Sequence, residues 1–287
     1  MKGIILAGGL GTRLYPATIS VAKCLLPVYD RPMVYYPLST LMQAGLKEIL
    51  VITAESEKEN FEKLLGDGSQ FGIEIKYDVQ KEPRGIAEAF IIGEDFINGE
   101  DVMLILGDNI FHSRDMERVL KEAAAENEGA TVFGQRVVDP ERFGVIGYDE
   151  NFNVISLEEK PEKPKSNTVA VGLYIYDGKV SEYARRLKPS ARGELEITDL
   201  NNIYLSEGRL KAKPLSKDTA WFDAGTHGSL LQASIYVANI EVVQEKISCP
   251  EKIALEKGYI TYEQFYDYVG KKKSDYYTRL KYECGKR

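Results

Sequence analysis

The first apolar run of this chain closes in a series of glycines, Leu6-Ala7-Gly8-Gly9-Leu10-Gly11-Thr12-Arg13. Glycines at a strand-to-loop junction let backbone N–H groups approach phosphate oxygens closely, and a guanidinium at the loop's end adds a two-pronged anion clamp. That chemistry suits a triphosphate. A turn with a purely structural job is the other reading, and the loop taken alone weighs the two evenly. Two rival phosphate loops are excluded by the letters. A P-loop is capped by Gly-Lys-Ser/Thr, which does not occur. A dinucleotide fingerprint needs a third glycine where Leu14 stands and an acid about 20 residues on at the end of the second strand, and the next strand here ends near Thr53.

Four further groups carry charge at places where chemistry is done. Lys23, in Ala22-Lys23-Cys24-Leu25-Leu26-Pro27, is a cation among apolar neighbours shortly after the loop and reads as a second phosphate ligand, against a solvated surface lysine. The run Val102-Met103-Leu104-Ile105-Leu106 ends in Gly107-Asp108-Asn109, so Asp108 sits at the carboxyl edge of a buried strand, where open α/β sheets bind ligands. A carboxylate there suits Mg²⁺, which takes one or two protein carboxylates together with substrate phosphates; a turn aspartate capping the following helix is the bland alternative. Asp223, in Trp221-Phe222-Asp223-Ala224-Gly225-Thr226, is a second carboxylate that periodicity alone does not bring to Asp108. Glu159 and Lys160 end another strand, an acid able to accept sugar hydroxyls beside an ammonium able to meet a phosphate; a solvated strand end is the alternative. His112 and His227 form no metal pair or nucleophile constellation. Cys24, Cys249 and Cys284 are scattered and read as free, packing thiols.

The elements that must hold these groups alternate. Apolar runs at Gly3 to Ala7, Glu48 to Thr53, Glu74 to Tyr77 and Val102 to Leu106 are each flanked by helical patterns, the signature of a parallel sheet with crossover helices. Helices are expected from Pro32, as a first-turn residue, to a stop at Gly45, and over Glu57 to Leu65, Gly85 to Ile97 and Asp115 to Glu126. From Ala130 the chain turns strand-rich, at Thr131 to Gln135, Val145 to Tyr148, Val154 to Glu159 and Val169 to Tyr176, so the sheet becomes mixed. Helices at Ser181 to Leu187 and Ile197 to Ser206, a strand near Leu210 to Pro214 and a long helix from Gly228 to Glu245 follow. The Tyr- and Lys-rich tail reads as a packing extension. The expected organisation is a catalytic domain over 1–240 and a dependent helical extension over 241–287.

At 287 residues, 44% hydrophobic and 28% charged, the chain can bury a substantial core. A formal net charge of −7 argues against nucleic acid, which demands a cationic footprint, yet leaves small anionic substrates open. Gly8-Gly9 and Arg13 break the N-terminal apolar stretch before it could serve as a signal core, and no run approaches a bilayer span, so a cytoplasmic protein with no membrane partner is expected.

Taken in order, the glycine loop through Leu14, Lys23-x-Leu25-Leu26-Pro27, Gly107-Asp108-Asn109 and Glu159-Lys160-Pro161 resemble the sugar-phosphate nucleotidylyltransferases. Arg192-Gly193-Glu194-Leu195-Glu196-Ile197-Thr198-Asp199, Ala220 to His227 and Ile247-Ser248-Cys249-Pro250-Glu251 resemble, within that family, the glucose-1-phosphate thymidylyltransferases. The resemblance implies a Rossmann-like three-layer α/β fold with a mixed, mostly parallel sheet. It implies transfer of a thymidylyl group from dTTP to glucose 1-phosphate with loss of pyrophosphate, Mg²⁺ as cofactor, and a homotetramer. Leu6, Ala7, Gly8, Gly9, Gly11 and Thr12 would then hold the nucleotide with Arg13 and Lys23, and Gln80 with Gly85 the thymine. Asp108 and Asp223 would hold the metal, and Asn109, Gly144, Glu159, Lys160 and Tyr174 the sugar phosphate. Arg13, Lys23, Asp108 and Lys160 are the catalytic set on this view. A preference for UTP and a non-catalytic nucleotide-sugar-binding subunit are the competing readings. Arg84 stands where relatives lead one to expect an acid.

Overall fold

Strand β1 (Lys2–Ala7) lies inside the sheet because beyond Lys2 its residues have no polar side chain to offer water: Ile4 packs into one core and Ile5 into the other. The computed structural model describes residues 1–151 and 153–285; Phe152, within the expected catalytic domain, and Lys286 and Arg287, at the end of the expected extension, lie outside the described residues. Two short strands follow, β2 (Pro27–Val28) and β3 (Arg31–Pro32), then β4 (Glu48–Thr53), β5 (Glu74–Val79), β6 (Val102–Leu106) and β7 (Asn109–His112). The second half adds β8 (Ala130–Arg136), β9 (Gly144–Tyr148), β10 (Val154–Glu159), β11 (Thr168–Tyr176), β12 (Leu210–Pro214) and β13 (Ala220–Asp223).

Nine of these strands form one sheet with the path β10-β9-β11-β6-β1-β4-β5, extended by β8 and β12 beside β11. The strands β5, β4, β1 and β6 are mutually parallel, and β11 runs antiparallel to β6, so the sheet is mixed as the strand-rich second half suggests. In register, Leu6 faces Ile52 on one side and Leu106 on the other, and Thr53 faces Val79. The segments that follow β1, β4, β5 and β6 therefore leave the sheet at one edge.

Side chains alternate across a strand, and each sheet face carries its own core. Ile49, Val51, Met103 and Ile105 pack on one face with α1 (Tyr35–Gln43), α2 (Lys58–Leu65) and residues of the C-terminal segment. Leu50, Ile52, Val102 and Leu104 pack on the other, beneath α3 (Glu88–Ile92) and α4 (Glu94–Ile97). The remaining helices are α5 (Met116–Ala125) on the first face, α6 (Val180–Arg186) and α7 (Ile197–Ser206) on the second, α8 (His227–Val243), and α9 (Pro250–Glu256), α10 (Tyr262–Val269) and α11 (Asp275–Cys284). The result is a three-layer α/β/α arrangement.

Two helical expectations are corrected. Pro32 does not open a helix: Tyr29, at φ +60°, turns the chain so that Arg31 and Pro32 pair with Val28 and Pro27, and α1 starts at Tyr35. The helix expected over Gly85 to Ile97 starts only at Glu88 and breaks at Gly93, where a side chain would press on the Ala89 carbonyl oxygen and on Leu50 and Ile4 of the sheet.

The tail adds Cys249, Ile253, Phe265, Val269 and Leu280 to the core of the first sheet face. Beside them, Arg31 is buried and ion-pairs with Glu241, which also binds Lys246 at 3.0 Å; Lys246 in turn pairs with Asp30. These charges join β3, α8 and the segment before α9, and α8 itself crosses residue 240. A buried pair of this kind is costly to break, because the survivor is left charged in a low-dielectric site.

Candidate active site

The site is assembled where β1 and β6 end. Gly8 passes so close to Gln80 that a Cβ would stand 2.7 Å from its Oε1, and Gly11, at φ +62°, turns the loop into a short 3-10 turn over Thr12–Leu14. Arg13 on that turn is exposed. The turn Lys23–Leu25 packs beneath: Cys24 Sγ would lie 2.7 Å from a Cβ on Gly107, so only glycine lets the two segments meet. Burial pushes the Cys24 thiol up to about 12, which leaves it a packing group rather than a nucleophile. The backbone closes on itself through Gly107 N–H donating to the Leu6 carbonyl at 2.9 Å, and Ala7 packs against Gly107.

Asp108 does not cap a helix; β7 follows it. Its Oδ2 pairs with the Lys23 ammonium and its Oδ1 accepts from Asn109 Nδ2 at 3.0 Å. The Asn109 Oδ1 accepts from Trp221 Nε1 at 2.7 Å and from the Gly172 N–H at 3.2 Å, so that amide is held on three sides. The ribbon of β7 with β13, a feature with no periodic signature, sets Asp223 opposite Asn109, and the Ala224 N–H donates to the Asp108 carbonyl at 3.0 Å. Gly225 then lies where three charges meet. A Cβ there would stand 3.0 Å from Asp223 Oδ1, 3.7 Å from Asp108 Oδ2 and 3.8 Å from Arg13 Cζ.

The electrostatics separate the two carboxylates. Burial raises the Asp108 pKa, but the Lys23 charge and hydrogen bonds to Lys23 and Asn109 outweigh it and leave the carboxyl below its ordinary range. For Asp223, burial and the charge of Asp108 prevail over Lys23 and Arg13, so its carboxyl is raised. Lys23 is itself raised: burial opposes its charge, and Asp108 more than restores it.

From these carboxylates a cavity of about 410 Å³ runs along the sheet edge, lined by Arg13, Asp108, Asn109, Gly144, Glu159, Lys160, Tyr174 and Asp223 among others. Glu159 faces Gly144 across the β10–β9 pairing, accepts from Thr198 Oγ1 at 2.6 Å and lies 3.2 Å from Lys160 Nζ. Lys160 leaves the strand at φ +43° with its N–H on the Phe143 carbonyl. Leu6, Ala7, Gly8, Gly9, Gly11, Thr12, Lys23, Gln80 and Gly85 do not line this cavity. Leu6 and Ala7 end β1, and the others belong to the adjoining loops and turns, with Gly11 packed on Lys23 and Gln80 spanning from Gly8 to Gly85.

The cavity also holds Arg142, Arg192 and Trp221, to which sequence reasoning gives no role. Arg192 pairs with Glu196 at 2.8 Å and reaches Glu159 at 3.7 Å. The segment that carries Arg192 is stitched to the Gln80–Ala87 loop: Leu195 N–H donates to the Arg84 carbonyl at 2.6 Å and Ala87 N–H to the Leu195 carbonyl at 3.2 Å. Between those bonds Gly85, at φ +103°, sits so near that a Cβ would be 2.4 Å from the Leu195 oxygen.

A nucleotidyl transferase family model matches residues 2–239. Glucose-1-phosphate thymidylyltransferase of Neisseria gonorrhoeae is 57% identical over 262 residues, 91% of each chain. The chain belongs to the glucose-1-phosphate thymidylyltransferases. A solved Bacillus anthracis protein provisionally given that enzyme name, in complex with a sucrose, superposes with a TM-score of 0.78 at 45% identity over 86% of this chain and 98% of that one. A UDP-glucose pyrophosphorylase solved with UDP-glucose does so with 0.73 at 26% identity, over 83% of this chain and 98% of that one. The fold of the thymidylyltransferases and of this wider group is thus the mixed-sheet α/β arrangement described above. No described helix is long and apolar enough to cross a membrane.

Proposed function

We propose that the chain transfers the thymidylyl group of dTTP to α-D-glucose 1-phosphate, giving dTDP-glucose and pyrophosphate. The observation that carries this reading is a single cavity lined both by the Asp108, Asp223 and Arg13 cluster and by the cations Lys160 and Arg192, which meet at Glu159. Such a site can grip two phosphate-bearing substrates at once.

The sugar phosphate is already an anionic nucleophile, so no strong base is needed and no covalent enzyme intermediate arises. The protein aligns the attacking oxygen with the α-phosphorus and neutralises charge. In this reading Arg13 and Lys23 bind the triphosphate, with the N–H groups of the Gly8–Thr12 loop beside them. Lys160 and Arg192 hold the sugar phosphate against the α-phosphorus, Glu159 accepts from sugar hydroxyls, and Gln80 with Gly85 holds the base. Gly144, Tyr174 and Asn109 shape the sugar side.

The residues present fit Mg²⁺. Two carboxylates converge at Gly225, and this ion takes one or two protein carboxylates and completes its shell with substrate phosphates. Asp108 and Asp223 would hold it, and when bound it withdraws charge from the phosphate oxygens.

A cytoplasmic homotetramer belongs to the same reading, supported by the exposed Leu231, Ile235, Val242 and Val243 on α8. So does a catalytic domain over 1–240 with the tail as a dependent extension, supported by their shared core. The similarity to a UDP-glucose pyrophosphorylase favours UTP as a second nucleotide. Pyrophosphate release measured for four triphosphates against several sugar 1-phosphates with Mg²⁺ tests the reaction and its substrates. No turnover with any triphosphate sinks the proposal, and the kcat/KM of dTTP against UTP ranks the two nucleotides.

A further inference from the structure

Gln80 is almost wholly buried, and its backbone N–H extends β5 by donating to the Thr53 carbonyl at 2.8 Å. Its side-chain amide has two N–H groups, and both are taken. One goes to the Gly85 carbonyl at 3.1 Å and the other to Glu88 Oε2 at 2.9 Å. A carbonyl and a carboxylate can only accept, so turning the amide over would set its own oxygen against two others. The remaining atom, Oε1, points over Gly8 in the nucleotide loop, 2.7 Å from where a Cβ would stand.

We propose that Glu88 is a positioning residue for base selection: by holding both amide hydrogens with Gly85, it makes Gln80 present an acceptor, and only an acceptor, to the incoming base. The inference rests on the nucleotide reading given above. Thymine and uracil offer an N3–H donor to such an oxygen, whereas N3 of cytosine is itself an acceptor and meets it lone pair to lone pair. An amide free to turn over welcomes either ring. Gln80 touches the base, and Glu88, at the first position of α3, acts through it. The lock therefore excludes the cytosine ring by leaving its N3 unpaired, the means by which a polar site rejects a near-isostere.

The test compares wild-type enzyme, Glu88→Ala and Glu88→Gln with dTTP and dCTP, alongside thermal melts. Wild-type enzyme without dTTP turnover refutes the function and is seen before any variant is made. Given that turnover, Glu88→Ala is expected to lower the dTTP-over-dCTP ratio of kcat/KM by about tenfold. The change sits in KM, with kcat for dTTP within about twofold of wild type. Glu88→Gln, whose own carbonyl can still accept from Gln80, restores the ratio to within about threefold. A carboxylate serving only the helix N-terminus moves the melting temperature of both variants and leaves the ratio alone. An unchanged ratio in Glu88→Ala, or a loss carried by kcat alike for both nucleotides, overturns the proposal.

Discussion

Asp223 stands opposite Asn109 in a four-residue antiparallel ribbon, and that pairing brings its carboxylate beside Asp108, its neighbour in space and not in sequence. The two acids share one small volume and differ in character: Lys23 favours the charge on Asp108, while Asp108 disfavours the charge on Asp223.

Asp108→Asn is therefore expected to lower kcat by on the order of a hundredfold or more, since it removes the Lys23 partner and an anionic ligand of the Mg²⁺ proposed to neutralise phosphate charge at this place. The melting curve stays cooperative. Unaltered pyrophosphate release would refute the role assigned to this carboxylate.

Gly225→Ala puts a methyl group 3.0 Å from Asp223 Oδ1 and 3.7 Å from Asp108 Oδ2. Displacing either group by a fraction of an ångström is expected to lower kcat about tenfold and to raise the Mg²⁺ concentration for half-maximal rate. A titration with Mg²⁺ at saturating substrates reads both, and wild-type behaviour shows that the acids do not work as a pair.

Arg192→Ala is expected to raise the KM for glucose 1-phosphate about tenfold while leaving that for dTTP within about twofold, because the guanidinium reaches Glu159, the residue proposed to accept from the sugar hydroxyls. Initial rates with each substrate varied in turn decide it. Equal changes in both KM values contradict the assignment.

Glu251 gives a pH dependence. It is buried, with Oε2 accepting from Tyr276 O–H at 2.8 Å and Oε1 without a partner among the described residues, and burial raises its carboxyl pKa above the ordinary value. A raised acid binds a proton more tightly folded than unfolded, so stability is greatest below the unfolded value of about 4.3 and falls as pH rises from there toward the folded value. Glu251→Gln is expected to flatten that fall and to melt higher than wild type at pH 8 by a larger margin than at pH 5. Parallel melting-temperature profiles across this range speak against a buried, proton-retaining Glu251.

The strands β1, β4 and β6 are legible in sequence because both sheet faces bury them, which writes unbroken apolar runs. Asp108 is legible for the same reason, standing where such a run stops. The β7–β13 ribbon is not: its strands are four residues long and pair segments far apart in the chain. Asp223 is therefore tied to Asp108 in sequence only through resemblance. Pro32 misleads because a proline fits a helix start and a strand end equally well, and the turn at Tyr29 that decides between them has φ > 0 on a residue that gives no hint of it. Arg192 and Glu88 are silent for another reason: each acts through a partner that only the folded loops bring within reach.

The two backbone bonds that flank Gly85 make Arg84, Ala87 and Leu195 a single seam. Grafts between family members must respect it. Both bonds are main-chain bonds, so they depend on the path the chain takes at Leu195 and not on its side chain: if the 80–87 loop reads the base as proposed, a loop transplanted from a relative keeps its shape only where the backbone at residue 195 runs alongside it in the same way.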